Sequence, residues 1–428
     1  MAPDRPMLDH LAETFPDSPA AVRLKAALLF AGVRYDPCLP AAAGWAFPNY
    51  MPYMLPPGAP AFEGKRQVAL PYLLRLAGDT QVRLRIKPDS PFSVRPDAGP
   101  LGYAVYEGDR RVTTTTFEAR LPWTDRLTAD GTPMRATGLS QHGDMLVLNV
   151  APGCEYFVVP GDPGGRTRNL SCTFCLYGLP DQRLETLGQE LYVIDVPRPT
   201  LDRVIEACQH PGTEARQLYM VGGSMLDMAD EGERYCRIAE RLAEAGLTER
   251  YYVACGSGAI QREHMLRMKA LGVRGACFNL EIWDPAQFER VCPGKASIVG
   301  RERWLRSLEE AVEVFGPDNV MTAFVGGAEL EGEGAFDDPA RALESNLEAG
   351  EYLIPRGIQP IYSLHWKVTG KNRGEEPFYS LDMFLRLNEG LAALRRREGR
   401  PINPAFFSRR SAYMQLEPDY DEAVHDRG

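Results

Sequence analysis

Cys154, Cys172 and Cys175 are the side chains of this sequence best suited to hold a metal. The last two form a Cys-x-x-Cys pair, and seventeen residues lie between the first two. Residues 146–149 read as a short buried strand that Ala151-Pro152-Gly153 breaks, so Cys154 follows the strand end directly. The polar, glycine-rich stretch 161–169 then leads to Cys172-Thr173-Phe174-Cys175. Thiolates are the usual ligands of iron–sulfur clusters. Three thiolates rather than four leave one iron of a 4Fe-4S cluster open to bind something else. Zinc is the competing reading, because Cys-x-x-Cys also serves zinc, but a tetrahedral structural site needs a fourth ligand. His142 precedes the strand and Cys208 falls in a predicted helix, so neither supplies it. Three unrelated buried cysteines are the plain alternative.

The elements that must position these thiols alternate in type. After the first strand come helix 201–208, strand 217–221, helix 233–245, strand 251–254, helix 262–271 and strand 276–280. Helix 303–315, strand 320–325, helix 339–353, strand 361–364 and helix 381–397 complete six strand–helix units. Gly246, Gly272 and Gly316 stop three of the helices. Such alternation implies an α/β fold with a parallel sheet and helices outside. A doubly wound open sheet would give the same pattern. Six units in series, with reactive groups after several strand ends, point instead to a partial (βα)6 barrel whose site lies at the C-terminal ends of the strands. Residues 1–140 predict a helix over 20–32 and strands near 68–76, 82–86, 103–106 and 112–121, a smaller α+β or mostly β accessory domain. The barrel is assigned to 141–370, and 371–428 to a C-terminal helix and tail packing on it.

The chain has 428 residues, 44% hydrophobic and 25% charged, as an ordinary globular protein does. A net charge of −10 argues against general affinity for nucleic acid or an anionic membrane surface. No signal-peptide pattern opens the sequence and no apolar run reaches the ~20 residues needed to span a bilayer. Nine unevenly spaced cysteines do not form a disulfide framework, so a cytoplasmic setting is expected.

With three cysteines just after a first strand, ending Cys-x-aromatic-Cys, the sequence resembles the radical S-adenosylmethionine (radical SAM) enzymes. Its departure is the expanded first gap, where the common family pattern has three residues. The resemblance implies Cys154, Cys172 and Cys175 as ligands of one 4Fe-4S cluster, with Phe174 near the cofactor's adenine. Val221-Gly222-Gly223-Ser224 stands where the family has Gly-Gly-Glu, whose backbone and carboxylate hold the amino group of the methionine portion. Here Ser224 replaces the glutamate, and a simple tight turn is the alternative. Glu281, ending the fourth strand, is placed to accept hydrogen bonds from ribose hydroxyls, or else opens a surface loop. Thr322-Ala323-Phe324-Val325-Gly326-Gly327-Ala328-Glu329 loosely matches the family's Gly-x-Ile-x-Gly-x-x-Glu, whose backbone contacts adenine, with Phe324 in the isoleucine position and Gly326 and Glu329 kept. Lys295 and Arg301 are assigned to a carboxylate of cofactor or substrate, against a solvated Pro-Gly turn. Cys255 is a candidate hydrogen-atom donor or a small apolar filler. Tyr362 and His365 bracket the last strand as candidate substrate-lining groups, the histidine more simply a satisfied one. Gly164-Gly165 lacks the lysine and hydroxyl of a phosphate loop.

The family chemistry is reductive cleavage of S-adenosylmethionine by the cluster to methionine and a 5′-deoxyadenosyl radical, which takes a hydrogen atom from substrate. The resemblance further implies an electron donor such as flavodoxin or ferredoxin, and enclosure of the barrel mouth by the N-terminal domain and residues 155–170. No cysteine follows Cys292, no Asp-x-His-x-x-Gly run is present, and no basic domain is appended. Those absences favour a one-cluster enzyme acting on a small metabolite or natural-product intermediate, without nucleic-acid or membrane partners. A peptide-modifying enzyme whose residues 1–140 bind a leader sequence is the runner-up, and a zinc-stabilised α/β binding protein is the reading from another class.

Overall fold

The computed structural model describes residues 5–36, 38–39, 71, 73–98, 102–117, 121–151, 153–161, 167–175, 198–369 and 372–425. The chain divides into two compact units. The first comprises Met1–Leu121, Trp366–Ala393 and Phe407–Gly428. Its antiparallel sheet contains β1 (Leu73–Leu76), β2 (Gln81–Arg83), β3 (Phe92–Pro96), β4 (Tyr103–Glu107) and β5 (Arg110–Phe117), in the order β2-β1-β5-β4-β3. Helices Met7–Thr14 and Ala20–Ala31 belong to this unit. The second helix is apolar on nearly every side, and its Lys25 is nonetheless fully buried against Asp419, with Nζ and carboxylate 2.5 Å apart. The β3 strand was missed in the sequence because proline and aspartate flank it on both sides and read as turns.

The second unit, Pro122–His365 with Leu394–Phe406, carries the parallel sheet. It contains β6 (Leu139–His142), β7 (Met145–Ala151), β8 (Gln217–Gly222), β9 (Tyr252–Gly256), β10 (Gly275–Cys277), β11 (Val320–Gly326) and β12 (Ile358–Leu364). Spatial order follows chain order from β6 to β12, antiparallel between β6 and β7 and parallel thereafter. A doubly wound sheet would reverse direction at a switch point. No reversal occurs among these strands, so helices fall on one face and the sheet curls as an open half barrel, as expected from the six strand–helix units.

Helix boundaries follow ordinary capping chemistry. Asp227 caps Met228–Glu244 by accepting from the amides of Ala229 and Asp230, and Asp338 with Pro339 opens Pro339–Leu353. Gly316, at φ 91°, ends Arg301–Phe315.

Strand register decides which side chains face the lumen. Val147 and Asn149 on β7 lie beside Tyr219 and Val221 on β8, which lie beside Ala254 and Gly256 on β9. With Cys277, Ala323, Val325, Ile361 and Ser363 they form the inner face, and many of them stay half-buried. Neighbours such as Leu148, Met220, Val253, Phe324 and Tyr362 face the helices and are essentially fully buried. The N-terminal ends of the strands are closed by 394–406. There Phe406 stacks on Tyr252 at 5.4 Å, and Gln217 donates to the Pro404 carbonyl.

Candidate active site

All three cysteines sit beyond the C-terminal end of β7, on irregular chain that is half-buried. Cys154 precedes the short turn Glu155–Val158 and is anchored to the end of β8, because Glu155 N donates to the Ser224 carbonyl at 3.0 Å. Leu226 N in turn donates to the Glu155 carboxylate at 2.6 Å. Gly223 makes that approach possible, since a Cβ there would lie 2.1 Å from Gly153 O and 2.7 Å from Cys154 Cα. The second cysteine segment is tied in separately. Leu170 N donates to Tyr156 O, Thr173 N to Val291 O, and Gly294 N to Leu170 O, at 2.7, 2.9 and 2.8 Å. Cys175 N closes a turn on Cys172 O at 2.9 Å. Phe174 places its ring edge-on to His365, 6.4 Å away, so this segment reaches from the end of β7 to the end of β12.

The electrostatics separate the thiols. Burial pushes Cys154 up to about 11, opposed by backbone hydrogen bonds from Tyr156 and Ser224, and the nearby Cys172 adds to the rise. Cys172 is held below the ordinary thiol value, first by its hydrogen bond with Cys292, then by the ammonium of Lys295, against the effect of burial. Cys292, deeply buried, is correspondingly driven well above that value. Its contact with Cys172 was not visible in the sequence, which associates it only with the Pro293-Gly294-Lys295 turn. No local signal links 172 to 292; the pairing arises because Thr173 docks on the C-terminal end of helix Pro285–Val291.

Lys295 and Glu281 come together beneath these thiols. The ammonium donates to Glu281 Oε1 at 2.9 Å and Asn279 O at 2.5 Å, and lies 4.5 Å from the centre of the Trp304 ring. Burial alone would lower the Lys295 pKa; Glu281 and the two thiols outweigh it, so the group stays charged. Glu281 adopts φ 73°, a left-handed conformation that is costly for a residue with a side chain. Arg301 is engaged elsewhere, donating twice to Trp283 O and lying 4.6 Å from that indole.

Other candidates fall outside this cluster. Cys255 shares the helix-facing side of the sheet with Met220 and has Cys236 of helix Met228–Glu244 as a neighbour, which makes it a packing residue rather than a lumen thiol. Tyr362 likewise points to the helices, its hydroxyl donating to Asn346 O at 3.1 Å and its ring stacked on Phe324 at 5.0 Å. The Phe324 side chain therefore packs outward, leaving only its backbone to the inner side. Glu329 is buried and takes hydrogen bonds from Gly327 N and Asn346 Nδ2, an internal brace beside Gly326. His365 pairs with Glu331 at 2.6 Å. The lumen thiol overlooked in the sequence is Cys277, which donates to Asn279 Oδ1 at 3.2 Å. Residues 162–166, with Gly164-Gly165, lie outside the described residues.

Among the described residues, no three His, Cys, Asp or Glu side chains converge as a ready-made metal site. Preformed convergence is not required, because thiols gather on a metal as they lose their protons. The donor set fits an iron–sulfur cluster in its chemistry: three cysteines outside any disulfide at one strand end, two within electrostatic reach of each other, beside a buried ammonium. A surface recess lined by Thr248, Tyr252, Lys269, Arg274 and Asn319 lies at the opposite, N-terminal ends of the strands.

No protein-family model matches the chain. It is 23% identical over 301 residues to the bacteriochlorophyllide c C-7(1)-hydroxylase of Chlorobaculum limnaeum, covering 68% of this chain and 69% of that one. Among solved structures it is similar to a radical SAM methyltransferase from Sphaerobacter thermophilus, with a TM-score of 0.39 and 14% identity over 72% of this chain and 76% of that one. A methylornithine synthase gives a TM-score of 0.38 and 12% identity over 60% of this chain and 69% of that one. The fold is an open parallel half barrel with three thiols beyond the end of β7 and a buried Lys295–Glu281 ion pair near them. The comparisons agree in kind with the resemblance to radical SAM enzymes carried by the cysteine motif and the strand–helix order, and the chain is similar to such enzymes. Among the described residues no helix is long and apolar enough to cross a membrane.

Proposed function

We propose that Cys154, Cys172 and Cys175 hold a single 4Fe-4S cluster whose fourth iron binds S-adenosylmethionine, and that the enzyme removes a hydrogen atom from a small-molecule metabolite or natural-product intermediate. The observation that carries this is the placement of Cys154 and the Cys172–Cys175 turn beyond the end of β7, near the buried Lys295–Glu281 ion pair. When bound, the two cofactors supply one-electron cleavage of a carbon–sulfur bond and a carbon radical able to break a carbon–hydrogen bond. The residues do the positioning. The Gly222–Ser224 turn offers close backbone approach to the methionine portion, and Phe174 offers a ring face at the mouth. Glu281 presents a carboxylate to ribose hydroxyls, and its ion pair with Lys295 holds that carboxylate in place. Arg301, held by Trp283 and Glu302, orients the loop rather than reaching a carboxylate of cofactor or substrate. The Val325–Gly326 backbone and the Glu329 brace shape the far wall. A flavodoxin- or ferredoxin-like protein is the proposed electron source, in the cytoplasm. The curated relative is named as a hydroxylase, a reaction that also breaks a carbon–hydrogen bond, which supports this class of step.

Cys292 beside Cys172 provides the fourth thiol that a zinc site would need, and metal analysis separates the two readings. Anaerobically reconstituted protein should carry about four iron and four sulfide per chain. After reduction it should release 5′-deoxyadenosine from S-adenosylmethionine. Stoichiometric zinc in colourless protein, or no cleavage under strict anaerobiosis, would refute the proposal.

A further inference from the structure

Helix Met228–Glu244 turns two charged side chains inward. Glu231 is 2% exposed and Arg234 1%, and groups of this kind are costly to bury unless paired. Their partners are main-chain atoms of the loops after β8 and β9. Arg234 donates to Gly223 O at 2.9 Å. Glu231 accepts from Gly258 N at 2.6 Å and Met225 N at 3.0 Å, with the Arg234 guanidinium 3.8 Å away. Gly258 leaves the room for this, since a Cβ there would lie 3.0 and 3.2 Å from the Glu231 oxygens. The pair is not needed to start the helix, because Asp227 already caps it. Nor does the turn it grips have a carboxylate of its own, for Ser224 stands at the end of Val221-Gly222-Gly223. The grip extends to the first cysteine through Gly223 against Gly153 and Glu155 N on Ser224 O.

We propose that Glu231 and Arg234 are positioning residues that fix the carbonyl of Gly223 and the amides of Met225 and Gly258, and so set the turn on which S-adenosylmethionine is read. This rests on the assignment of Gly222–Ser224 to the methionine portion.

Glu231→Gln and Arg234→Met test it with two readouts. In the metal-free protein, amide hydrogen exchange at Met225 and Gly258 should rise about ten-fold or more, the factor a lost charge-assisted hydrogen bond carries, while Val253 and Ala254 keep their rates. In reconstituted protein, KM for S-adenosylmethionine should rise about ten-fold while kcat for 5′-deoxyadenosine release and iron content stay near wild type, and Arg234→Lys should recover part of the KM. Exchange and KM both at wild-type values would overturn the proposal, as would exchange raised across the whole barrel with KM unchanged. If Arg234→Met fails to fold, Gly258→Ala, which crowds the same carboxylate from outside, decides by the same readouts. Wild-type protein that binds no iron refutes the proposed function alone, and the exchange experiment then still decides the positioning role.

Discussion

Replacing Gly223 by Ala probes the packing of the β8 turn against the Cys154 segment. The new Cβ would meet three backbone atoms, Gly153 O, Gly153 C and Cys154 Cα, at 2.1, 2.6 and 2.7 Å. Carbon atoms settle about 3.5–4 Å apart, so one of the two main chains must retreat by about 1 Å. Overpacking of this kind costs about 1–3 kcal/mol. The reduced entropy of the unfolded chain returns only about 0.4–1 kcal/mol, so the net effect is destabilising. In a domain of this size about 2–4 °C of Tm is lost per kcal/mol, giving a fall of up to about 10 °C. Iron content should fall further than the stability loss explains, because the atom pushed is the Cys154 main chain. Calorimetry and iron determination on the same preparation read both effects. Gly246→Ala is the control: its φ of 72° is strained for alanine, but no atom lies within 4 Å of the added carbon, so Tm should fall with iron unchanged. Full iron and an unchanged Tm in Gly223→Ala would refute the argument.

Cys154→Ala, Cys172→Ala and Cys175→Ala should each lose most of the reconstituted iron while keeping the far-ultraviolet spectrum of the wild type; full retention in any one removes that thiol from the ligand set. In metal-free protein near pH 8, alkylation should label Cys172 before Cys154. The folded pKa of Cys172 lies below the ordinary thiol value, so its thiolate forms first, whereas Cys154 keeps its proton until about pH 11. Lys295→Met should slow labelling at Cys172, and faster labelling of Cys154 at any pH below 9 would contradict the electrostatics. In the other unit, Lys25→Met strands Asp419 and should cost about 3–5 kcal/mol in urea titration, most of it recovered when Asp419→Leu is added; a loss below about 1 kcal/mol would sink this reading of the pair.

The periodic elements were legible in the sequence, and the facing of their side chains was not. The expected helices 303–315 and 339–353 are observed as Arg301–Phe315 and Pro339–Leu353, since Gly316, Asp338 and Pro339 are unambiguous boundary residues. Cys154, directly after a strand, and the Gly222–Gly223 turn were readable for the same reason. Cys255 and Tyr362 were given to the lumen because a parallel strand is apolar on both faces and offers no alternation to orient it. A one-residue shift in register exchanges the faces, and here it hands the inner position to Cys277. The Cys172–Cys292 contact and the Glu231–Arg234 grip join segments far apart in the chain, with no local signature. The β6–β7 hairpin escaped notice because Gln141 and His142 make β6 read as a loop.

Six parallel strands wound in order and left unclosed behave as an arc. A closed eight-stranded ring has its bore prescribed by strand number and stagger, and side chains fill it. Among the described residues, Leu139–His142 and Ile358–Leu364 each lack a ladder partner on their outer side. Among the described residues, no rung joins those two margins. The width of such a lumen follows from the curvature of the sheet rather than from strand count, while the Cys154 segment and the glycine turn are fastened to each other at neighbouring strands.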